Sequence, residues 1–167
     1  MRKSLLALAA AVALAGTASA ATAPQAGIKS FAELTPPVAP YDEKADADAA
    51  VKAAFDRAKK SHKRVLIDLG GNWCGDCRIL AGVMELPDVR RFIESHYEVV
   101  SVDVGRFDKN LQIPARFGFT KRLLGVPTVL IVTRRGRLVN GKDVFALSDA
   151  RHMAPQAVVD WLAKYAG

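Results

Sequence analysis

The chain has 167 residues, of which 50% are hydrophobic and 25% are charged. This composition fits one globular domain and excludes a disordered chain, a collagen and a coiled-coil rod. The formal net charge is +7, but the positive side chains are spread along the chain without forming a run, so we expect no nucleic-acid binding. Two cysteines are too few for a disulfide-stapled scaffold, and they form a four-ligand zinc site only with help from scattered histidines.

The first 20 residues have the organisation of a secretory signal peptide. Arg2 and Lys3 provide a positive start, residues 5–15 form an apolar run, and Ala18-Ser19-Ala20 matches a cleavage signal. The alternative is an uncleaved anchor helix, which needs an apolar run of roughly 20 residues. We therefore expect cleavage after Ala20 and a mature protein that is periplasmic or secreted and does not span the membrane. Removal of Arg2 and Lys3 leaves a net charge of +5.

The mature chain is predicted to begin with an irregular segment. Residues 21–41 contain four prolines among small residues, which predicts a linker or N-terminal arm outside the core. Residues 42–167 are predicted to form the folded domain. Helices are expected over 42–63, 74–85, after Pro87, around 115–119 and after Pro155, and strands over 65–69, 97–104, 127–133 and 138–144. This order predicts an α/β fold in which helices flank a central mixed sheet on both faces.

The chemistry is concentrated in Trp73-Cys74-Gly75-Asp76-Cys77, where a buried strand is followed by a helix. A cysteine at a helix N-terminus faces unpaired backbone N–H groups and the positive end of the helix dipole, which favour thiolate over thiol. We therefore expect Cys74 to be the nucleophile. Cys77 lies almost one helical turn further on the same face, so the pair can close and reopen a disulfide. Cys77 is then the resolving thiol, and we expect no cofactor beyond this redox-active disulfide and no metal.

These residues resemble the thioredoxin family, and in particular its exported bacterial members. The resemblance covers about residues 50 to 166 and includes the motif at Trp73–Cys77, the strand before it, and Gly125-Val126-Pro127-Thr128 about fifty residues later. It implies a thioredoxin-like fold and a cis bond between Val126 and Pro127, next to the disulfide. It also implies that the backbone there pairs with an incoming substrate strand, so we expect Trp73, Val126, Pro127 and Thr128 to bind substrate.

Asp68 is the second informative residue, because it stands six positions before Cys74 within an apolar strand. The resemblance places a buried carboxylate here, beneath the resolving cysteine. A carboxylate among apolar neighbours is desolvated, which raises its pKa and fits it to take the proton from Cys77. The alternative is that the side chain turns to the edge of the sheet or to a backbone N–H.

Three features depart from the family pattern. Gly70 and Gly71 stand where bulkier residues are expected, which predicts a more open surface beside the disulfide. Ser101 stands where classical thioredoxins keep a lysine near the buried carboxylate. The connection 105–125 is longer than usual and rich in Lys and Arg. It is either a contact surface for a partner or a solvated loop, and the sequence leaves both interpretations open.

The predicted activity is thiol-disulfide exchange on other exported proteins that carry disulfides. Asp76 places a negative charge between the cysteines, which opposes the thiolate by about 1 kcal/mol and favours a reductase. A disulfide-donating oxidase or isomerase and a CxxC copper chaperone remain alternatives, as does an interaction module that has lost turnover. An exported reductase needs electrons, so a membrane thiol relay is the expected donor, and we expect a monomer.

Overall fold

The computed structural model describes residues 21–167, so the predicted signal peptide lies outside the described residues. The elements in chain order are α1 (Ala47–Ser61), β1 (Arg64–Gly70), α2 (Gly75–Met84), α3 (Pro87–His96), β2 (Tyr97–Asp103), α4 (Gln112–Ala115), β3 (Thr128–Val132) and α5 (Pro155–Lys164). Short 3₁₀ helices span Phe31–Glu33 and Ala150–His152. Within residues 21–167, no helix combines the length and the apolar character that crossing a membrane requires.

The sheet is mixed, as predicted, with β1 in its centre. β2 runs parallel to β1, and β3 runs antiparallel to it on the other side. The six residues from Val65 to Gly70 are buried because the central strand is covered on both faces. The strand that carries Asp68 therefore lies in the middle of the molecule and leads directly into the cysteine motif.

Side-chain alternation along β1 divides the core into two layers. Val65 and Ile67 pack with α1 on one face. Leu66 packs on the other face with α2, α3 and α5. Helices therefore flank the sheet on both faces, and the predicted α/β fold is confirmed.

Residues 21–41, which we call the arm, pack onto the domain, so the prediction that they lie outside the core is wrong. Ala26 is buried, and partly buried arm residues cover the core on the α2–α3–α5 face: Ile28, Phe31 and Leu34. The Gln156 side chain accepts from the Ala26 N–H and donates to the Pro24 carbonyl. The apolar stretch in the arm thus gains burial, while side chains of the domain bind its backbone.

Two predicted elements differ in the structure. The strand expected over 138–144 does not form, and Val132 and Leu138 make only an isolated bridge. The reason is Asn140, whose buried side chain accepts from the Ile131 N–H and donates to the Val129 carbonyl. This amide takes backbone positions along β3 that a continuous strand would use.

The helices near residues 42 and 115 are displaced or shorter than predicted. The first helix begins after Asp46, whose side chain caps the Ala49 N–H, and ends before His62, which adopts a left-handed φ of 62°. The helix expected around 115–119 is instead Gln112–Ala115. Gly118, with φ of 93°, turns the chain away before Phe119.

Candidate active site

The two cysteines lie at the start of α2 and are joined as a disulfide, with their Cα atoms 5.3 Å apart. Cys74 is the N-cap residue, and its Sγ accepts a hydrogen bond of 3.2 Å from the Cys77 N–H. That N–H would stabilise a thiolate at the same position. Cys74 is 5% exposed whereas Cys77 is fully buried, so Cys74 is the cysteine nearer to solvent.

The loop before β3 lies against the disulfide. Cys74 Sγ is 3.4 Å from the Val126 carbonyl oxygen, and the peptide bond between Val126 and Pro127 is cis. Thr128 is fully buried, and its hydroxyl donates to the Gly125 carbonyl at 2.6 Å. The Thr128 side chain therefore holds the loop in place and does not face the surface, whereas the loop backbone at Val126 borders the sulfur.

Trp73 stands at the surface beside the cysteines, with 44% of its area exposed. Its indole N–H donates to the Gly105 carbonyl at 2.7 Å, and its ring meets Phe107 edge-on. Gly71 leaves the room for this arrangement, because a methyl group there would lie 2.7 Å from the indole nitrogen. Trp73 thus offers a fixed apolar surface next to Cys74.

The basic side chains of the connection 105–125 mostly contact the chain itself. The Arg106 guanidinium lies over the Trp73 ring, and that of Arg122 lies over Phe107. Lys109 pairs with Asp103, and Arg116 with Asp48. These contacts give much of the positive charge in this connection an internal role.

Asp68 is buried in β1 and is 1% exposed. Its Oδ2 accepts a hydrogen bond of 2.7 Å from the Tyr41 hydroxyl, and its Oδ1 has no hydrogen-bond partner among the described residues. Its cross-strand neighbours, Ser101 and Val129, carry no charge. Burial raises the pKa of the Asp68 carboxyl to about 7, although the hydrogen bond from Tyr41 acts in the opposite direction.

Tyr41 is part of this site, although the sequence interpretation did not include it. Tyr41 is the last residue of the arm, and its ring lies over Gly70. A methyl group at Gly70 would therefore be 2.6 Å from Tyr41 Cζ and 2.9 Å from Cys77 Sγ. The expectation of a more open surface beside Gly70 is therefore wrong, because Tyr41 fills the space. The residue that could have indicated a neighbour such as Tyr41 is Gly70, because the space beside a glycine in a packed core must be filled by a side chain from elsewhere in the chain.

Asp76 is also placed differently from the interpretation, which treated its charge as unpaired. It is 6% exposed, and it accepts hydrogen bonds from Arg151 Nε at 3.0 Å, from Arg151 Nη2 at 2.6 Å and from the Arg151 backbone N–H at 2.8 Å. Burial alone would raise the pKa of the Asp76 carboxyl, but these bonds hold it below its usual range. The negative charge between the cysteines is therefore largely compensated.

The described residues 21–167 contain no group of three or more His, Cys, Asp and Glu side chains arranged to hold a metal ion. The chemistry available at the site is that of the disulfide, the buried carboxyl behind it and the surface formed by Trp73 and the Val126 loop.

Comparisons with known proteins agree with this geometry. The thioredoxin-like family model matches residues 46–133. The thioredoxin of Alicyclobacillus acidocaldarius subsp. acidocaldarius is 36% identical over 87 residues, which are 52% of this chain and 73% of that protein. The thioredoxin of Acidithiobacillus ferridurans is 30% identical over 92 residues, which are 55% and 75% of the two chains.

A solved structure extends the similarity. The crystal structure of a disulphide isomerase from Xylella fastidiosa Temecula1 has a TM-score of 0.70 and 38% identity, and the match covers 75% of this chain and 95% of that one. With the matched family model and the joined CxxC cysteines, the chain belongs to the thioredoxin family and is a thiol-disulfide oxidoreductase.

Proposed function

We propose that the mature protein is an exported reductase of protein disulfides, with Cys74 as the nucleophile and Cys77 as the resolving thiol. The Cys74 thiolate attacks one sulfur of a substrate disulfide, so that a mixed disulfide forms and the other substrate sulfur leaves as a thiolate. Cys74 is nearer to solvent than Cys77, and the Cys77 N–H is directed at the Cys74 Sγ, and both observations support this assignment.

Cys77 then completes the reaction. Its thiol loses a proton to Asp68, and the resulting thiolate attacks Cys74 Sγ, which breaks the bond to the substrate. The second substrate sulfur leaves as a thiolate and takes up a proton. The substrate has gained two electrons, and the enzyme holds the Cys74–Cys77 disulfide. A carboxyl with a pKa of about 7 suits this transfer, because it is partly ionised at neutral pH.

Substrate binding is assigned to the surface around Cys74. An extended substrate segment would lie beside the Val126–Pro127 backbone and against the exposed indole of Trp73. Support comes from the 3.4 Å separation of Cys74 Sγ and the Val126 carbonyl, which places that backbone beside the reacting bond. Thr128 would act from beneath by holding the loop.

The assignment of the reducing direction rests mainly on one observation, which is the pairing of Asp76 with Arg151. A strong oxidant stabilises its reduced form, which requires positive groups that favour the Cys74 thiolate. Here the Arg151 charge is compensated by Asp76, and the start of α2 remains the main stabilising influence. The thioredoxin relatives are also consistent with a reducing protein.

Isomerisation is the second candidate, because the similar Xylella fastidiosa protein is described as a disulphide isomerase. An isomerase begins with the same attack by a reduced Cys74. It differs in the second step, where another substrate thiolate displaces Cys74 and no electrons are transferred overall.

Export is inferred from residues 1–20, and it requires an outside supply of electrons. An oxidising compartment would otherwise hold the cysteines as a disulfide. A membrane thiol relay is the donor that this location requires, with exported disulfide-bonded proteins as substrates. The form recovered from outside the cytoplasm should begin at Ala21, and full-length chain in the cytoplasm would contradict export.

The reduction potential of the Cys74–Cys77 couple tests the direction. The mature protein is equilibrated with glutathione buffers, and free thiols are trapped and counted. We expect a value near that of thioredoxin, about −270 mV, and a value near the strong periplasmic oxidants, about −120 mV, would overturn the proposal. If the protein restores the activity of a substrate with scrambled disulfides and leaves the number of substrate disulfides unchanged, it is an isomerase.

A further inference from the structure

The arm ends at the rear of the active site, where Tyr41 is 2% exposed. Its hydroxyl donates to Oδ2 of Asp68 at 2.7 Å, and Asp68 Oδ1 has no partner among the described residues. One carboxyl oxygen is therefore held, while the other keeps its full capacity to accept a proton.

The site is shaped to receive this tyrosine. Gly70 leaves the space for its ring, with Cys77 Sγ beside the same glycine. Asn72 binds the Tyr41 backbone from both sides, because its Oδ1 accepts from the Tyr41 N–H at 3.0 Å and its Nδ2 donates to the Tyr41 carbonyl at 2.9 Å. Gly70 and Asn72, which lie between Asp68 and the cysteine motif, thus fix the end of the arm.

From this arrangement we infer that Tyr41 is a positioning residue for the resolving step, and that it orients Asp68 so that Oδ1 remains free to take the proton from Cys77. This inference rests on the proposed function. It makes the arm part of the active site, because the arm supplies a group that acts on the chemistry through Asp68.

Tyr41 has a second effect, which is on the pKa of Asp68. On the arm, the Tyr41 phenol donates to Asp68, and on α2 the Cys77 sulfur lies beside Gly70. At the end of β2, Asp103 acts on Tyr41 and pairs with Lys109. Burial and the nearby carboxylates raise the pKa of Tyr41 far above its ordinary value, so its hydroxyl remains a donor. Its hydrogen bond lowers the pKa of Asp68 and increases the ionised fraction.

The variant Tyr41→Phe keeps the ring and removes the donor. Reduced protein is mixed with an excess of a fluorescent peptide disulfide, and the first-order release of peptide thiol from the mixed disulfide is followed from pH 5.5 to 9. We expect the midpoint of the rate profile to move upward by about one pH unit, with release slowed about tenfold on the acidic side.

Tyr97→Phe is the matched control. Tyr97 is also buried, and its hydroxyl donates to the Leu162 carbonyl at 2.6 Å, away from the disulfide. This variant loses an equivalent hydrogen bond and should keep the wild-type midpoint. Asn72→Ala, which frees the Tyr41 backbone, should move the midpoint in the same direction as Tyr41→Phe.

Asp68→Asn separates the two possible failures. We expect it to flatten the profile, and the double variant Tyr41→Phe/Asp68→Asn should match Asp68→Asn alone, because Tyr41 acts through the carboxyl. An unchanged profile in Asp68→Asn would remove the proton acceptor from the proposed function. A flattened profile in Asp68→Asn together with a wild-type midpoint in Tyr41→Phe would overturn the inference about Tyr41 alone.

Discussion

Two aspartates flank the disulfide, one behind it and one between its cysteines, and their environments shift their pKa values in opposite directions. Asp68 lies inside the sheet with one neutral hydrogen-bond donor, and burial raises its pKa to about 7. Asp76 is nearly as buried, yet Arg151 holds its pKa below the usual range. Burial by itself therefore does not decide the state of a carboxyl in this molecule.

Asp76 lies nearer to the surface than Asp68, and in addition it faces a cation. The Arg151 guanidinium donates from Nε to Oδ1 and from Nη2 to Oδ2 of Asp76, and these bonds favour the charged form of the carboxyl more than burial opposes it. Asp68 has only the phenol of Tyr41, which stays neutral, so its proton can be exchanged near neutral pH. The site thus keeps one carboxyl for proton transfer and one in a fixed ion pair.

The largest expected effect concerns the pH dependence of stability. Because the pKa of Asp68 is raised on folding, the native state binds its proton more tightly than the unfolded chain, and stability falls as pH rises from about 4 to 7. Asp68→Asn removes this loss. Relative to the variant, the wild-type disulfide form should lose about 4 kcal/mol of unfolding free energy over that interval.

Urea unfolding of the oxidised proteins at pH 4, 5.5, 7 and 8.5 measures this difference. Asp160→Asn is the control, because Asp160 lies on the exposed face of α5, and this variant should follow the wild-type pH dependence. Parallel curves for wild type and Asp68→Asn would mean that Asp68 has the same pKa in the folded and unfolded chains.

The smaller effect concerns the charge pair beside the cysteines. Arg151→Ala leaves the Asp76 charge uncompensated, which disfavours the Cys74 thiolate and should lower the reduction potential by about 20 mV. Asp76→Asn leaves the Arg151 charge uncompensated and should raise it by a similar amount. The double variant should return close to the wild-type potential.

The partly exposed pair of Arg57 and Glu98, on α1 and β2, provides the control for this set. Arg57→Ala should leave the potential unchanged, because that pair lies away from the disulfide. Equal potentials for Arg151→Ala and wild type would show that the charges of this pair do not act on the sulfur atoms, and the pair would then give no information about the direction of transfer.

The sequence predicts the centre of this site well because its signals are local. The apolar run from Val65 to Leu69 predicts a buried strand, and the two cysteines after it fall at a helix start. The same apolar neighbours predict that Asp68 is desolvated, as the structure shows.

The remaining features depend on contacts between distant parts of the chain. Tyr41 and Asp68 are 27 positions apart, and Asp76 and Arg151 are 75 apart, so no local pattern pairs them. The missing strand over 138–144 also depends on such a contact, because the Asn140 amide binds the backbone of β3 where the alternation of side chains predicted a strand. The features that local patterns do not predict are those in which a single polar side chain takes the place of backbone or of a counter-charge.

A carbon-13 NMR titration of the aspartate carboxyl carbons, assigned with Asp68→Asn and Asp76→Asn, tests the difference between the two aspartates most directly. We predict that Asp68 titrates near pH 7, while Asp76 titrates below the ordinary value of 3.8. If both carboxyls instead titrate near that ordinary value, Asp68 is not poised to take the proton from Cys77, and the division of roles between the two aspartates is contradicted.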